Sequence, residues 1–165
     1  QVMKRFAFVL FLTAVVLMPM AASDFGAAGA AQDSSPSVEA MLRYAIQDEY
    51  LARAEYERIM DEYGDIRPFS NIIQAEETHV GYLLPLFKEH GLDIPTDTAA
   101  DHVVVPDSLK AAMEIGVQAE IDNIAMYDRF LDQDLPADVR DVFERLKNAS
   151  ENHLRAFRNN LRRYQ

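Results

Sequence analysis

The stretch NIIQAEETHVGYLL, residues 71–84, decides how this chain is read. Ile72, Ile73, Val80 and Leu83 recur at helical spacing, and Glu76 and His79 fall on the same apolar stripe. A helix that turns a carboxylate and an imidazole inward must satisfy them there, because an unpaired buried charge is costly. Whether hydrogen bonds or a cation do so depends on what the rest of the chain brings to the same place.

On both sides of this stretch the pattern stays helical. A first long helix is expected from about Ser37, a good N-cap, to Tyr63, with Gly64 placed to stop it. Its inward stripe reads Val38, Met41, Leu42, Ala45, Glu49, Ala52, Tyr56, Ile59, Tyr63. The second runs from Phe69 to the Gly91 stop, and Pro85 is expected to kink its last turns. Residues 92–105 form one long connection. The third starts near Pro106-Asp107-Ser108 and turns Leu109, Ala112, Met113, Gly116, Glu120, Ile124, Tyr127 and Leu131 inward. The fourth follows LPAD and turns Val139, Phe143, Leu146, Ser150, His153, Phe157, Leu161 and Tyr164 inward. No segment reads as a strand. Short, long and short connections predict an all-α antiparallel four-helix bundle with one crossover between the second and third helices.

The chain also repeats itself. A shift of 71 positions pairs Gln47 with Gln118, Glu49 with Glu120, Ala54 with Ala125, Tyr56 with Tyr127, Arg58 with Arg129 and Asp61 with Asp132. A shift of 74 pairs Phe69 with Phe143, Ala75 with Ala149, Glu77 with Glu151 and His79 with His153. Two helical hairpins related by a pseudo-two-fold axis follow from this, and with them a symmetric pair of half-sites.

Each inward stripe carries polar residues near its middle: Glu49, Glu76 with His79, Glu120, and Ser150 with His153. Glu at i and His at i+3 lie about 60° apart around a helix, near enough to reach one ion. A Glu from each of two helices, with Glu-x-x-His from each of the other two, encloses two metals in a bundle core. Oxygen and imidazole donors suit iron, manganese or zinc. The candidate ligands are therefore Glu49, Glu76, His79, Glu120 and His153, with Glu49 and Glu120 bridging or capping and the rest terminal. A polar core joined by internal hydrogen bonds is the alternative. A complete second Glu-x-x-His would need Glu at 150, where the residue is Ser150. Glu151 is about 100° off axis and, like Glu77, belongs on the surface. Asn123, one turn from Glu120, is a candidate oxygen donor. Tyr56 and Tyr127 are candidate hydrogen-bond partners of the ligands, and Ser150 or water completes the second half. His90 and His102 read as surface residues.

These motifs carry a resemblance. E-x-x-A-R-x-x-Y at Glu49–Tyr56, E-x-x-H at Glu76–His79 and E-x-x-x-I-x-x-Y at Glu120–Tyr127 resemble the rubrerythrin-like branch of the ferritin-like superfamily. The wider wording of DEYLARAEYERIMDEYG, GVQAEIDNI and SENHLRAF is similar to the ferritin-like domain-of-unknown-function family 2202. The resemblance spans residues 38–161. It implies a ferritin-like bundle with a carboxylate-bridged iron or mixed-metal centre, and an activity such as Fe(II) oxidation or peroxide reduction. Non-catalytic metal binding or a purely structural bundle is the competing reading.

Composition bounds the rest. The formal charge of −11 excludes nucleic acid as a partner, since phosphate binding needs a basic face. Residues 1–31 have the layout of a signal peptide followed by an Ala-rich segment: Lys4 and Arg5, an apolar run from Phe6 to Met18, then small residues, with cleavage near 22–31. Residues 32–37 read as a linker and 38–165 as the bundle. Export to the periplasm or the extracellular space is the expectation, an N-terminal membrane tether the minority one. There is no cysteine, so a rubrerythrin-style electron donor would be a separate protein. A homodimer is the default oligomer.

Overall fold

The computed structural model describes residues 24–164; of the leader and Ala-rich segment expected over residues 1–31, residues 1–23 lie outside the described residues. Four long helices form as their end signals direct. Helix α2, Val38–Tyr63, starts at Ser37, whose side chain accepts the Ala40 N–H at 3.2 Å. It ends at Gly64, where a φ of 86° needs glycine and the N–H bonds Met60 O at 2.8 Å. Helix α3, Phe69–Glu89, runs through Pro85. Helix α4, Leu109–Leu131, is capped by Ser108 on the Ala111 N–H, and α5 spans Ala137–Leu161. Among the described residues there is no strand, and no helix is long and apolar enough to cross a membrane.

A fifth, short helix was not anticipated. Residues 24–37 read as a small-residue tail and linker, yet Gly26–Gln32 forms α1, with Phe25 and Ala30 buried against the bundle. Its residues are small because α1 lies close on α2 and α4. The crossover between α3 and α4 carries a 3-10 turn, Ala99–His102, that packs on α2.

Helix α2 pairs along α3 and α4 along α5, giving the two hairpins that the repeat predicts. The hairpins meet through α3 with α5 and, more sparsely, α2 with α4. Equivalent aromatic pairs mark the pseudo-two-fold: Tyr56 and Phe69 have ring centroids 5.4 Å apart, as do Tyr127 and Phe143. Each pair belongs to a different apolar cluster, and the polar residues lie between the two clusters.

The buried seam of every long helix alternates steps of three and four, the heptad spacing of a left-handed bundle. In α3 it is Phe69, Ile72, Glu76, His79, Leu83, Leu86; in α5 it is Val139, Phe143, Leu146, Ser150, His153, Phe157. This spacing corrects the α4 stripe. Asn123 and Phe130 are buried in register, while Ile124 and Leu131, one residue later, are only half-buried. Tyr164 is exposed, because α5 ends at Leu161 and the following 3-10 turn leaves the seam.

Two helical glycines predict opposite responses. A methyl group at Gly116 would fall 2.5 Å from the fully buried Phe157 ring, whereas one at Gly81 meets nothing within 4 Å. Gly116→Ala is expected to lower the unfolding free energy by about 1–3 kcal/mol through overpacking. Gly81→Ala should raise it by about 0.5–1 kcal/mol through backbone entropy. Urea titration of the two variants beside the parent checks both signs.

Candidate metal centre

Halfway along the seam, five ionisable side chains from four helices are buried together: Glu49 from α2, Glu76 and His79 from α3, Glu120 from α4 and His153 from α5. All five ligand candidates read from the sequence therefore meet. The His79 Nδ1 lies 3.1 Å from Glu49 Oε2 and 2.9 Å from Glu76 Oε2. His153 Nδ1 lies 3.3 Å from Glu76 Oε1 and 3.3 Å from Glu120 Oε1. Two three-residue sets result, Glu49/Glu76/His79 and Glu76/Glu120/His153, and the donor atoms of each lie within 4.8 Å of one another. Glu76 belongs to both sets and presents one oxygen to each. In this geometry Glu76 is the carboxylate shared by both imidazoles, while Glu49 faces His79 and Glu120 faces His153.

The tyrosines cross between hairpins. Tyr56 OH donates to Glu120 Oε1 at 3.3 Å, and Tyr127 OH donates to Glu49 Oε1 at 3.1 Å. Each hairpin thus orients the carboxylate of the other, a reciprocity that follows from the repeat. The two imidazoles stack with centroids 5.6 Å apart.

The symmetry breaks at one position. Where Glu76 has its repeat partner stands Ser150, and its Oγ donates to Asn123 Oδ1 at 3.0 Å. The Asn123 amide in turn donates to Asp48 Oδ2, and Asp48 Oδ1 accepts the Ala27 N–H of α1 at 2.8 Å. Asn123 therefore spends its oxygen on Ser150 instead of offering it as a ligand. Asp48 escaped the sequence reading because it lies about 100° round from Glu49, among many surface acids, and no local pattern sets it apart. Asp48, Glu49, Glu76, Glu120, Asn123 and Ser150 are among the residues lining a small cavity of about 20 Å³, roughly enough for one water.

Charge is balanced within the cluster. Burial opposes a charge on Glu76, but hydrogen bonds from His153 and His79 outweigh it and hold this carboxyl down at about 2. Burial likewise disfavours the imidazolium forms, yet the flanking carboxylates win and raise His79 to about 10 and His153 to about 9. Burial, joined by repulsion from Glu76, pushes Glu49 well up; Glu120 is raised for the same first reason. Burial also lifts Tyr56 and Tyr127, keeping both phenols protonated as donors. Asp48, enclosed under α1, is raised to about 6 by desolvation.

Each Nδ1 faces carboxylate oxygens of two residues, a setting that would hold a divalent cation in place of a proton. Two imidazole nitrogens and three carboxylates, one of them shared, form a hard-to-borderline donor set that fits first-row metals. The cluster is compatible with a carboxylate/histidine metal site.

The histidines and glutamates expected away from the site do lie outside the cluster. His90 Nε2 pairs with Asp138 Oδ2 at 2.8 Å near the end of α3, and His102 stacks on Phe25. Glu77 and Glu151 are in surface ion pairs with Arg53 and Lys147.

Comparison with known proteins agrees with this geometry. The rubrerythrin family model matches residues 39–161. A solved structure of a hypothetical protein from Methanococcus jannaschii is similar over 80% of this chain and 85% of that one, with a TM-score of 0.69 and 23% identity. That likeness concerns the fold. No curated protein matches the sequence.

A pH dependence follows for the metal-free protein. His79 and His153 have folded-state values above the ordinary 6.5, so their contribution to stability is complete below about 6.5 and lost as pH rises through about 9 to 10. Glu76 acts in the opposite sense, its contribution present above its ordinary 4.5 and lost as pH falls toward about 2. Denaturation of chelator-treated protein should show stability declining from pH 7 to 10. His79→Gln should flatten that slope. Bound metal should reverse it, because cations compete with those same Nδ1 protons.

Proposed function

We propose a function from the family to which this chain belongs, the rubrerythrins: an exported metal-binding protein whose four-helix core holds a dinuclear centre, most readily of iron, that oxidises Fe(II) or reduces peroxide. The observation that carries the reading is Glu76, whose two carboxylate oxygens each face a separate imidazole and a separate second carboxylate. That arrangement would suit two cations side by side. Glu49 and His79 would hold one with Glu76, and Glu120 and His153 the other.

A pair of ferrous ions would supply the two electrons that reduce one peroxide to water. The chain's own residues do the rest. Tyr127 holds the Glu49 oxygen turned away from His79, and Tyr56 holds the same Glu120 oxygen that His153 meets, so both carboxylates keep their orientation whether a proton or a cation lies between them. The flanking apolar clusters, with Phe69, Phe143 and Phe157, keep water away from the ends of the centre. The small cavity beside Ser150 leaves one molecule's room next to the shared carboxylate. Turnover would draw electrons from a separate donor, since these residues contain no cysteine for an iron–sulfur centre. Manganese or zinc would suit the same donors, and the leader-like start of the chain supports export.

A second reading has its own observation. Ser150 leaves a single shared carboxylate where a symmetric centre would have two, and its hydroxyl is engaged with Asn123. That weakens the pair and favours non-catalytic metal binding.

Metal analysis separates these readings. About two irons per chain are expected after loading with Fe(II). Glu76→Ala should lose both, and His79→Ala should keep the half built on Glu120 and His153. Loaded protein that consumes peroxide faster than free Fe(II) supports the redox reading; two bound metals without turnover leave the binding role. No uptake of iron, manganese or zinc by the unaltered chain would sink the metal centre itself.

A further inference from the structure

The cluster faces the seam between α2 and α4, where the bundle's helices pack most sparsely. Outside that seam lies a cavity of about 280 Å³ whose walls include Leu51 and Glu55 of α2, and Ile115 and Asp122 of α4. Asp48 and Ala119 line both this cavity and the small one at the cluster, so these two side chains stand at the boundary between them. Phe25, Ala27 and Ala28, at the start of α1, form one side of the larger cavity together with His102 of the crossover.

Helix α1 is fastened at points along its length. The Phe25 ring stacks on His102 at 4.2 Å, and the Ala27 N–H donates to Asp48 at 2.8 Å. Arg129 of α4 donates to the Ala30 carbonyl, and Tyr44 of α2 donates to Asp33 at 3.3 Å. Two glycines permit this close docking. Gly26 has a φ of 54° with Asp48 directly against it, and a methyl at Gly29 would run into the Asp24 carbonyl of the same segment and come within 3.0 Å of the Tyr44 ring of α2. Seven residues are too few to hold a helix alone. Thus α1 is helical because it is docked, and its release is a local opening that leaves the four-helix core intact.

We propose that α1 is a strap covering the route by which divalent cations reach the four-helix centre, with the Ala27–Asp48 contact as its catch. The inference rests on the metal-binding reading above and adds a gate to it. Cations are the ligand class because carboxylates of Glu55, Asp122 and Asp48 line the cavity outside the cluster. Residues 24–33 accordingly belong to the working domain and are not a dispensable tail of the leader.

The absence of cysteine makes the test clean. In the full chain, Ala119→Cys introduces a single thiol at the boundary of the two cavities, and Asp107→Cys provides an exposed control. Maleimide labelling is timed in metal-free protein with the strap intact and with it loosened by Gly29→Val or, independently, Phe25→Ala. Loosening should speed labelling at 119 by about tenfold or more and leave 107 unchanged, with cooperative unfolding retained. Transfer of bound Zn(II) to a chelator should accelerate alongside. Phe25→Ala decides the matter should Gly29→Val fail to fold. Unchanged labelling and unchanged Zn(II) release in a folded variant overturn the strap while leaving the metal centre standing. Failure of the unaltered chain to bind Zn(II) or Fe(II) overturns the metal reading, and the cation gate with it.

Discussion

The structure depends on the carboxylate of Glu76. It is buried at the middle of the bundle, and an ionised carboxylate there would be unfavourable by several kcal/mol without compensation. Compensation comes from opposite sides: His79 on its own helix and His153 on α5. Each imidazole then needs a second carboxylate, which Glu49 and Glu120 provide, and each of these is oriented by a tyrosine from the other hairpin. Following the partners outward from Glu76 therefore recruits all four long helices. No hairpin can satisfy its polar residues alone, so the polar layer ties the pairing of the two hairpins to the satisfaction of the centre.

The same layer explains why the molecule is nearly but not fully two-fold. Tyrosines, histidines and the Glu49/Glu120 pair obey the repeat, and the aromatic pairs beside them have matching separations. Ser150 does not obey it. A carboxylate at that position would bring a fourth acid into the layer, close to Glu120 and the already raised Asp48. The serine instead joins a hydrogen-bonded line through Asn123 to Asp48 and from there to the backbone of α1. One side of the polar layer is thus linked by hydrogen bonds to α1, and the other is not.

Much of this was legible in residues read singly or in pairs. Glu76 and His79 announced an inward polar pair by their place in an apolar stripe, and the 71- and 74-residue shifts told that Glu49, Glu120 and His153 stood at equivalent heights. Ser37 and Gly64 marked the ends of α2 as they are found. Asn123 was harder, because a 3.6-residue period favours Ile124 equally; only the three-four alternation enforced by a neighbouring helix selects it. Tyr164 was placed inward by extending a period beyond the end of its helix.

The sequence by itself determined the helices, their caps, the repeat and the identity of the residues that meet, because these are written at separations of three, four and seven along one chain. Tertiary structure decided which carboxylate is shared, that Asn123 spends its oxygen on Ser150, and that Asp48 holds α1 in place. Those outcomes join positions 76 with 153, 123 with 150 and 27 with 48, contacts between helices that no local period encodes. Composition suggested a leader with an Ala-rich tail up to residue 31 and a linker over residues 32–37. Helix α1 exists only through what it touches, and a seven-residue segment gains its order from the surface beneath it.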